Sequence, residues 1–268
     1  MVANDRFKAS SRDAAIIKKI LITSAIAVVV IGIIVGVVMV IRSGVFDTAM
    51  RLRLVEGTVN IEDASGAIKS ASSNSSFESG DTIGTSYDGM ASVVLDNSKN
   101  VSLDGYSRAS FFKQGKTLEV SLIKGGLFFE VSGALNDDES FAVKTTNLTI
   151  NITKGSSGYI FYDESGLQSL IVTDGVVRVD ATNKKTGQKK NMDVHGGQKL
   201  AVYLYDKSSG SGDSVKLVAT DIRPKDLPYF PLRIMSKNAA LLANVSKYTG
   251  WDESEIQYYI NALPAAYK

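Results

Sequence analysis

Residues 91–105 read Ala91-Ser92-Val93-Val94-Leu95-Asp96-Asn97-Ser98-Lys99-Asn100-Val101-Ser102-Leu103-Asp104-Gly105. Ala91-Ser92-Val93-Val94-Leu95 is a short, mostly apolar run broken by Ser92, Asp96-Asn97 supplies a turn, Val101-Ser102-Leu103 alternates, and Asp104-Gly105 supplies a second turn. Strict alternation is the mark of a half-buried strand, and Asp, Asn and Gly between two such runs mark the turn. The segment therefore predicts short antiparallel strands with one buried face.

The same pattern extends in both directions. Leu52-Arg53-Leu54 and Thr58-Val59-Asn60-Ile61 precede it. Leu118-Glu119-Val120-Ser121-Leu122, Phe128-Phe129-Glu130-Val131, Phe141-Ala142-Val143, Leu148-Thr149-Ile150-Asn151-Ile152, Tyr159-Ile160-Phe161-Tyr162 and Val176-Val177-Arg178-Val179 follow. Turn residues recur at Gln114-Gly115, Asp163-Glu164-Ser165-Gly166 and Thr186-Gly187. Many short strands at such spacing define an all-β body over 51–222, built as a sandwich, a barrel or a solenoid-like stack. A weak repeat runs through it. Val55-Glu56-Gly57-Thr58-Val59, Ile123-Lys124-Gly125-Gly126-Leu127 and Val172-Thr173-Asp174-Gly175-Val176 each place a glycine before an alternating run, where it permits a positive φ or a bulge. Their unequal separations exclude a regular repeat array.

Upstream lies a stretch of different character. Ile20 to Ile41 is uncharged, is mostly Ile, Val and Leu, and is closed by Lys18-Lys19 and Arg42. As a helix it measures roughly 33 Å, against a hydrocarbon core of roughly 30 Å. It is read as a transmembrane helix, too long for a signal-peptide core and without a small-residue cleavage site. Arg6, Lys8, Arg12, Lys18 and Lys19 precede it, while Arg42, Arg51 and Arg53 follow. This bias places residues 1–19 in the cytoplasm as a tail and the large domain outside, beyond a connector at 42–50. Gly32 and Gly36 form a G-x-x-x-G spacing that would let two such helices approach closely and pair two copies.

Downstream, after Arg223-Pro224, helical spacing replaces alternation, and residues 223–268 form a small α-helical appendage. Ile234, Asn238, Leu241, Leu242, Val245 and Tyr248 share one face of a helix ended by Gly250. Asp252 and Glu255 open a second helix carrying Ile256, Tyr259, Ile260 and Leu263, stopped by Pro264. Two helices this short are marginal alone, so docking on the β body is expected. Leu241, Leu242, Val245, Trp251, Ile256 and Tyr259 are the candidate partner-binding positions.

Composition narrows the chemistry. The 268 residues carry a net charge of +2, with no cysteine, one histidine and four prolines. Disulfides, thiolate metal sites and cysteine nucleophiles are thereby excluded, and no basic excess points to nucleic acid. His195 beside Gly196-Gly197 reads as a surface turn residue, not a base or ligand. Asp137-Asp138-Glu139 and Asp163-Glu164 read as solvated loop charges. Asp206 to Ser214 is a hairpin tip without the ligand spacing of a calcium loop. Lys184, Lys185, Lys189 and Lys190 make a basic hairpin tip, and Asn74, Asn100, Asn147, Asn151 and Asn244 lie in chance glycosylation-type triplets. No catalytic, cofactor-binding or metal-ligating residue is assigned, and no cofactor is expected.

One ordered set of segments carries a family resemblance. Phe77-Glu78-Ser79-Gly80-Asp81-Thr82-Ile83-Gly84-Thr85, then the strand from Ala91 with its Asp96-Asn97-Ser98 turn, then Leu122 to Leu127, Phe141 to Thr145 and Val172 to Val176 resemble the successive blocks of FecR-like domains. The chain is a divergent case, since Lys154-Gly155-Ser156 stands where the family has an Arg-Gly-Thr block. The resemblance implies a single-pass bacterial envelope protein with an extracytoplasmic all-β domain. Well-known members relay signals to a sigma factor through a helical domain before the membrane span, and the nineteen-residue tail expected here is too short for one. The expected function is non-catalytic recognition of an envelope partner in signalling or regulation. The alternative is a scaffold module binding cell-wall polymer or protein, with an envelope glycan-active enzyme a distant third. The expected partners are the lipid bilayer and an envelope protein or wall polymer.

Overall fold

A computed structural model describes residues 50–163, 168–206 and 213–267. The expected transmembrane helix, its flanks and the Gly32–Gly36 pair lie outside the described residues, among which no helix is long and apolar enough to cross a membrane. The described residues are mainly β, followed by a small helical part at the C-terminal end.

The strands are β1 (Met50–Glu56), β2 (Val59–Glu62), β3 (Ile68–Ser70), β4 (Ser76–Phe77), β5 (Thr82–Thr85), β6 (Met90–Val94), β7 (Lys99–Leu103), β8 (Arg108–Gln114) and β9 (Thr117–Val131). They continue as β10 (Ser140–Lys144), β11 (Leu148–Ile152), β12 (Ser156–Tyr162), β13 (Gln168–Asp174), β14 (Val176–Thr182), β15 (Lys189–His195), β16 (Gln198–Leu204) and β17 (Val215–Asp221). The hydrogen bonding sorts them into two sheets. The first runs β4-β1-β6-β7-β9-β12-β13-β16-β17 and is antiparallel throughout. The second runs β3-β2-β5-β8-β9-β10-β11-β14-β15, with β9 and β10 parallel and the other pairs antiparallel.

Strand β9 belongs to both sheets. Its first half, Thr117 to Lys124, pairs with β8 in the second sheet, and its second half, Gly125 to Val131, pairs with β12 in the first. Gly125, at φ 90°, is the bend. The other two glycines of the sequence repeat mark the same event. Gly57 (φ 61°) carries the chain from β1 in the first sheet to β2 in the second, and Gly175 (φ 74°) carries it from β13 to β14. The repeat is thus a device for changing sheets, which needs a left-handed residue that only glycine adopts without strain.

The two sheets face each other across one core. Leu52, Val93, Leu103, Phe129, Ile160 and Leu170 come from the first, and Ile61, Ile83, Phe111, Val120, Ile150 and Val179 from the second; all are fully enclosed. Alternation holds through most strands, as expected. It fails in β9, β12 and β13, where both faces are buried. Phe129, Ile160 and Leu170 point into the sandwich, while Phe128, Tyr159 and Ile171 point outward beneath the helices. Consecutive apolar residues at Leu127-Phe128-Phe129 and Leu170-Ile171-Val172 are the sequence mark of such a strand.

The helical part corrects the expectation of two helices. There are three: α1 (Tyr229–Ser236), α2 (Ala239–Thr249) and α3 (Glu253–Asn261), after a short turn of 3-10 helix at Pro224–Asp226. The run expected from Ile234 through Tyr248 breaks at Lys237, because the Asn238 side chain accepts a hydrogen bond from the Leu241 N–H (3.0 Å) and starts a new helix. Gly250 caps α2 at φ 72°, and the Asp252 carboxylate accepts from Ser254 N (2.8 Å) to open α3. All three helices pack over the outward apolar row of the first sheet, forming a second core of Met90, Phe128, Tyr159 and Ile171 with Phe230, Met235, Val245 and Ile256.

Candidate functional site: a cleft between the first sheet and the helices

The outward row of the first sheet changes character along its strands. Towards β12 and β13 it is apolar and covered. Towards β1, β6 and β7 it becomes polar, and the helices stop short of it. A cleft of about 340 Å³ remains, lined by Arg53 and Leu54 of β1, Met90 and Ser92 of β6, Asn100 and Ser102 of β7, Phe128 and Glu130 of β9, and Ile234, Lys237 and Asn238 at the α1–α2 junction.

Local irregularity puts Arg53 there. The register of β1 against β6 shifts between Leu52 and Leu54: Leu52 opposes Val93 and Leu54 opposes Ser92, leaving Arg53 as the extra residue of a bulge. Bulges re-aim side chains and are common beside functional sites. Here the bulge keeps Leu52 inside the sandwich and brings both Arg53 and Leu54 to the cleft. Next across the sheet, Ser102 is buried and its hydroxyl donates to Ser92 Oγ at 3.2 Å. Asn100 sits directly opposite Glu130 in the β7–β9 register.

Glu130 is half-buried, and its carboxylate accepts from Asn238 Nδ2 at 3.1 and 3.3 Å. Burial raises its pKa above the usual range; the Asn238 hydrogen bond and the nearby Arg53 charge oppose this without cancelling it. Asn238 thus ties the cleft to the helices, with one side-chain end capping α2 and the other on Glu130. A second tie lies at the rim. Arg233 Nη2 and Lys237 Nζ donate to the two oxygens of Glu56 at 2.6 and 2.7 Å, holding α1 to the end of β1. Near by, the Tyr159 hydroxyl donates to Asp104 Oδ2 at 3.3 Å. Burial raises the Asp104 pKa, and burial together with the Asp104 charge drives the Tyr159 phenol far up, so it stays a donor.

Two groups in the cleft are unengaged. The Arg53 guanidinium and the Asn100 amide make no side-chain hydrogen bond or ion pair among the described residues. Arg53 and Glu130 line one cleft without forming an ion pair, although the Arg53 charge is near enough to act on the Glu130 carboxylate.

The positions singled out from the sequence lie elsewhere. Leu241, Leu242, Val245, Trp251 and Ile256 are buried in the second core, and Tyr259 is half-buried against it. His195 is exposed at the end of β15, where its N–H donates to Gln198 Oε1. In the basic tip, Lys185 reaches Asp206 (2.7 Å) and Lys190 reaches Asp213 (2.5 Å). Asp138 pairs with Lys116 (2.6 Å). Among the described residues no three metal-ligating side chains come together. The polar cleft residues that the strands supply, Arg53, Ser92, Asn100, Ser102 and Glu130, were visible in the sequence only as polar positions of strands. An outward Arg, Ser or Glu flanked on its strand by outward apolar residues is the signal for them, and reading it requires the strand register.

Residues 81–178, from just before β5 into β14, match the family described as FecR protein. This meets the resemblance drawn from the blocks between Phe77 and Val176. No protein of the curated collection matches. Two crystal structures of a candidate anti-sigma factor from Parabacteroides distasonis, at 1.65 and 2.50 Å, are similar with TM-scores of 0.41 and 0.42 and 15% identity. The likeness covers 53% of this chain and 59% of that one, so this chain spans well under two thirds of the matched protein's length. A likeness this low says nothing of what this chain binds.

Proposed function

We propose that the protein is a membrane-anchored, non-catalytic regulator whose FecR-like sandwich stands outside the cytoplasmic membrane and recognises a partner protein of the cell envelope in signalling. The observation that carries this reading is the FecR match over residues 81–178, which falls on the central strands of both sheets and on the bent strand joining them. The uncharged stretch from Ile20 to Ile41 supports the anchor. The excess of Lys and Arg before it supports a cytoplasmic tail at residues 1–19. The Gly32–Gly36 spacing supports pairing of two copies within the bilayer.

The test is photo-cross-linking in living cells of the source organism. A photoreactive phenylalanine is placed in the full chain at Tyr87 or Tyr258, which are 73% and 67% exposed. The expected result is a discrete protein adduct that survives digestion of the cell wall, with deletion of either gene changing the same set of transcripts. Adducts that vanish on wall digestion would replace this reading with that of a wall-binding scaffold.

A further inference from the structure

We infer that the cleft between the first sheet and the α1–α2 junction binds a small zwitterion, an α-amino acid or a short peptide, with its carboxylate on Arg53 and its ammonium on Glu130. The inference rests on how the fold spaces these two groups. Strands β1 and β9 are separated by β6 and β7, three strand spacings or roughly 14 Å between backbones. The long Arg53 side chain and the shorter Glu130 side chain reach into this span from its two ends without meeting. Small residues, Ser92 and Ser102, make the floor between them, and Asn100 stands beside Glu130.

Each group has unused capacity for one part of such a ligand. A guanidinium presents a planar fork of donors that matches a carboxylate, and no acceptor among the described residues engages the Arg53 fork. A carboxylate is acceptor-only, with about four lone-pair directions, and among the described residues the one side-chain donor on Glu130 is Asn238 Nδ2. It is half-buried on that single donor, so a ligand ammonium would supply what the fold leaves out. The unengaged Asn100 amide and the free proton of Ser92 Oγ suit the amide or carbonyl of a peptide backbone. Leu54, half-buried at the cleft, gives one small apolar surface beside the edges of the buried Met90 and Ile234. The volume of about 340 Å³ sits at the low end of small-molecule sites.

The same geometry disfavours other ligands. A divalent cation would find one carboxylate. A phosphate would face Glu130, and Lys237, the other cation in the cleft, is already held by Glu56. A nucleobase or sugar ring would seek an aromatic face, but Phe128 is 1% exposed.

Calorimetric titration of the full chain in lipid discs tests this, with alanine and alanyl-alanine as probes. N-acetylalanine lacks the ammonium, alaninamide lacks the free carboxylate, and N-acetylglucosamine is the uncharged polyol control. At least one zwitterion is expected to bind saturably, and each blocked form at least roughly tenfold more weakly. Binding of alanyl-alanine in preference to alanine would identify a peptide site, and the reverse a free amino-acid site. Arg53→Gln and Glu130→Gln should each weaken the zwitterion by roughly tenfold. Arg53 is exposed, so its variant should melt like the parent. Absence of binding by both zwitterions, equal binding of the blocked forms, preference for the sugar, or full affinity in Arg53→Gln would each overturn the inference.

Discussion

Glu130 shows what a single residue costs the fold and how that cost can be read. Burial pushes its pKa up, so the folded chain holds the Glu130 proton to higher pH than the unfolded chain does. Between the ordinary carboxylate value and the raised one, the folded state binds more protons, so the contribution of Glu130 to stability falls as pH rises and reaches its low point above the folded pKa. Asp96 has the opposite sign. Burial alone would raise it, but the Lys99 ammonium and the Ser98 N–H outweigh that, so its contribution is lost as pH falls. Glu130→Gln keeps the acceptor for Asn238 and removes only the charge. Compared with the parent by denaturant melts, the variant should gain stability at pH 7 relative to pH 4, the Asp96 contribution cancelling between the two proteins. An unchanged difference across that range would show that burial of Glu130 carries no penalty. None of this was legible from the strand pattern. Glu130 alternates like any outward polar residue, and its partner Asn238 lies 108 positions further on.

At the scale of elements, much more could be read. Alternation located most strands, Gly250 located the end of α2, and the glycine repeat was visible although its meaning was not. Pairing across two sheets is a long-range property, so a sequence repeat cannot say that the chain changes sheet at Gly57, Gly125 and Gly175. The break between α1 and α2 was missed for a local reason. Asn238 fits the apolar spacing of a continuous helix, yet its side chain caps a new one. The crossing at Gly175 gives a test. A Cβ there would sit 2.3 Å from Gly155 O, in a backbone at φ 74°. Gly187 has nearly the same φ, 75°, with no atom within 4 Å of its Cβ position. Gly187→Ala should cost about 1–2 kcal/mol, the left-handed penalty alone. Gly175→Ala should cost at least about 1–3 kcal/mol more, because the start of β12 must move. Equal losses in paired denaturant melts would mean that the close approach to Gly155 does not constrain the crossing.

For the whole molecule, the likeness to FecR domains was legible as an ordered set of blocks, and the match over residues 81–178 agrees with it. The sequence did not supply the way the C-terminal helices close over the first sheet, because the outward apolar residues of β9, β12 and β13 look like ordinary core until the sheets are assembled. The central claim is that this assembly faces the outside of the cell, tethered by the stretch from Ile20 to Ile41. The absence of cysteine from the chain makes a direct measurement available. Lys184→Cys places a thiol in the exposed turn between β14 and β15, and Ser10→Cys places one in the N-terminal tail. Intact cells expressing each variant are treated with a membrane-impermeant maleimide before and after lysis. The account predicts labelling of Lys184→Cys in intact cells and of Ser10→Cys only after lysis; the reverse pattern would contradict it.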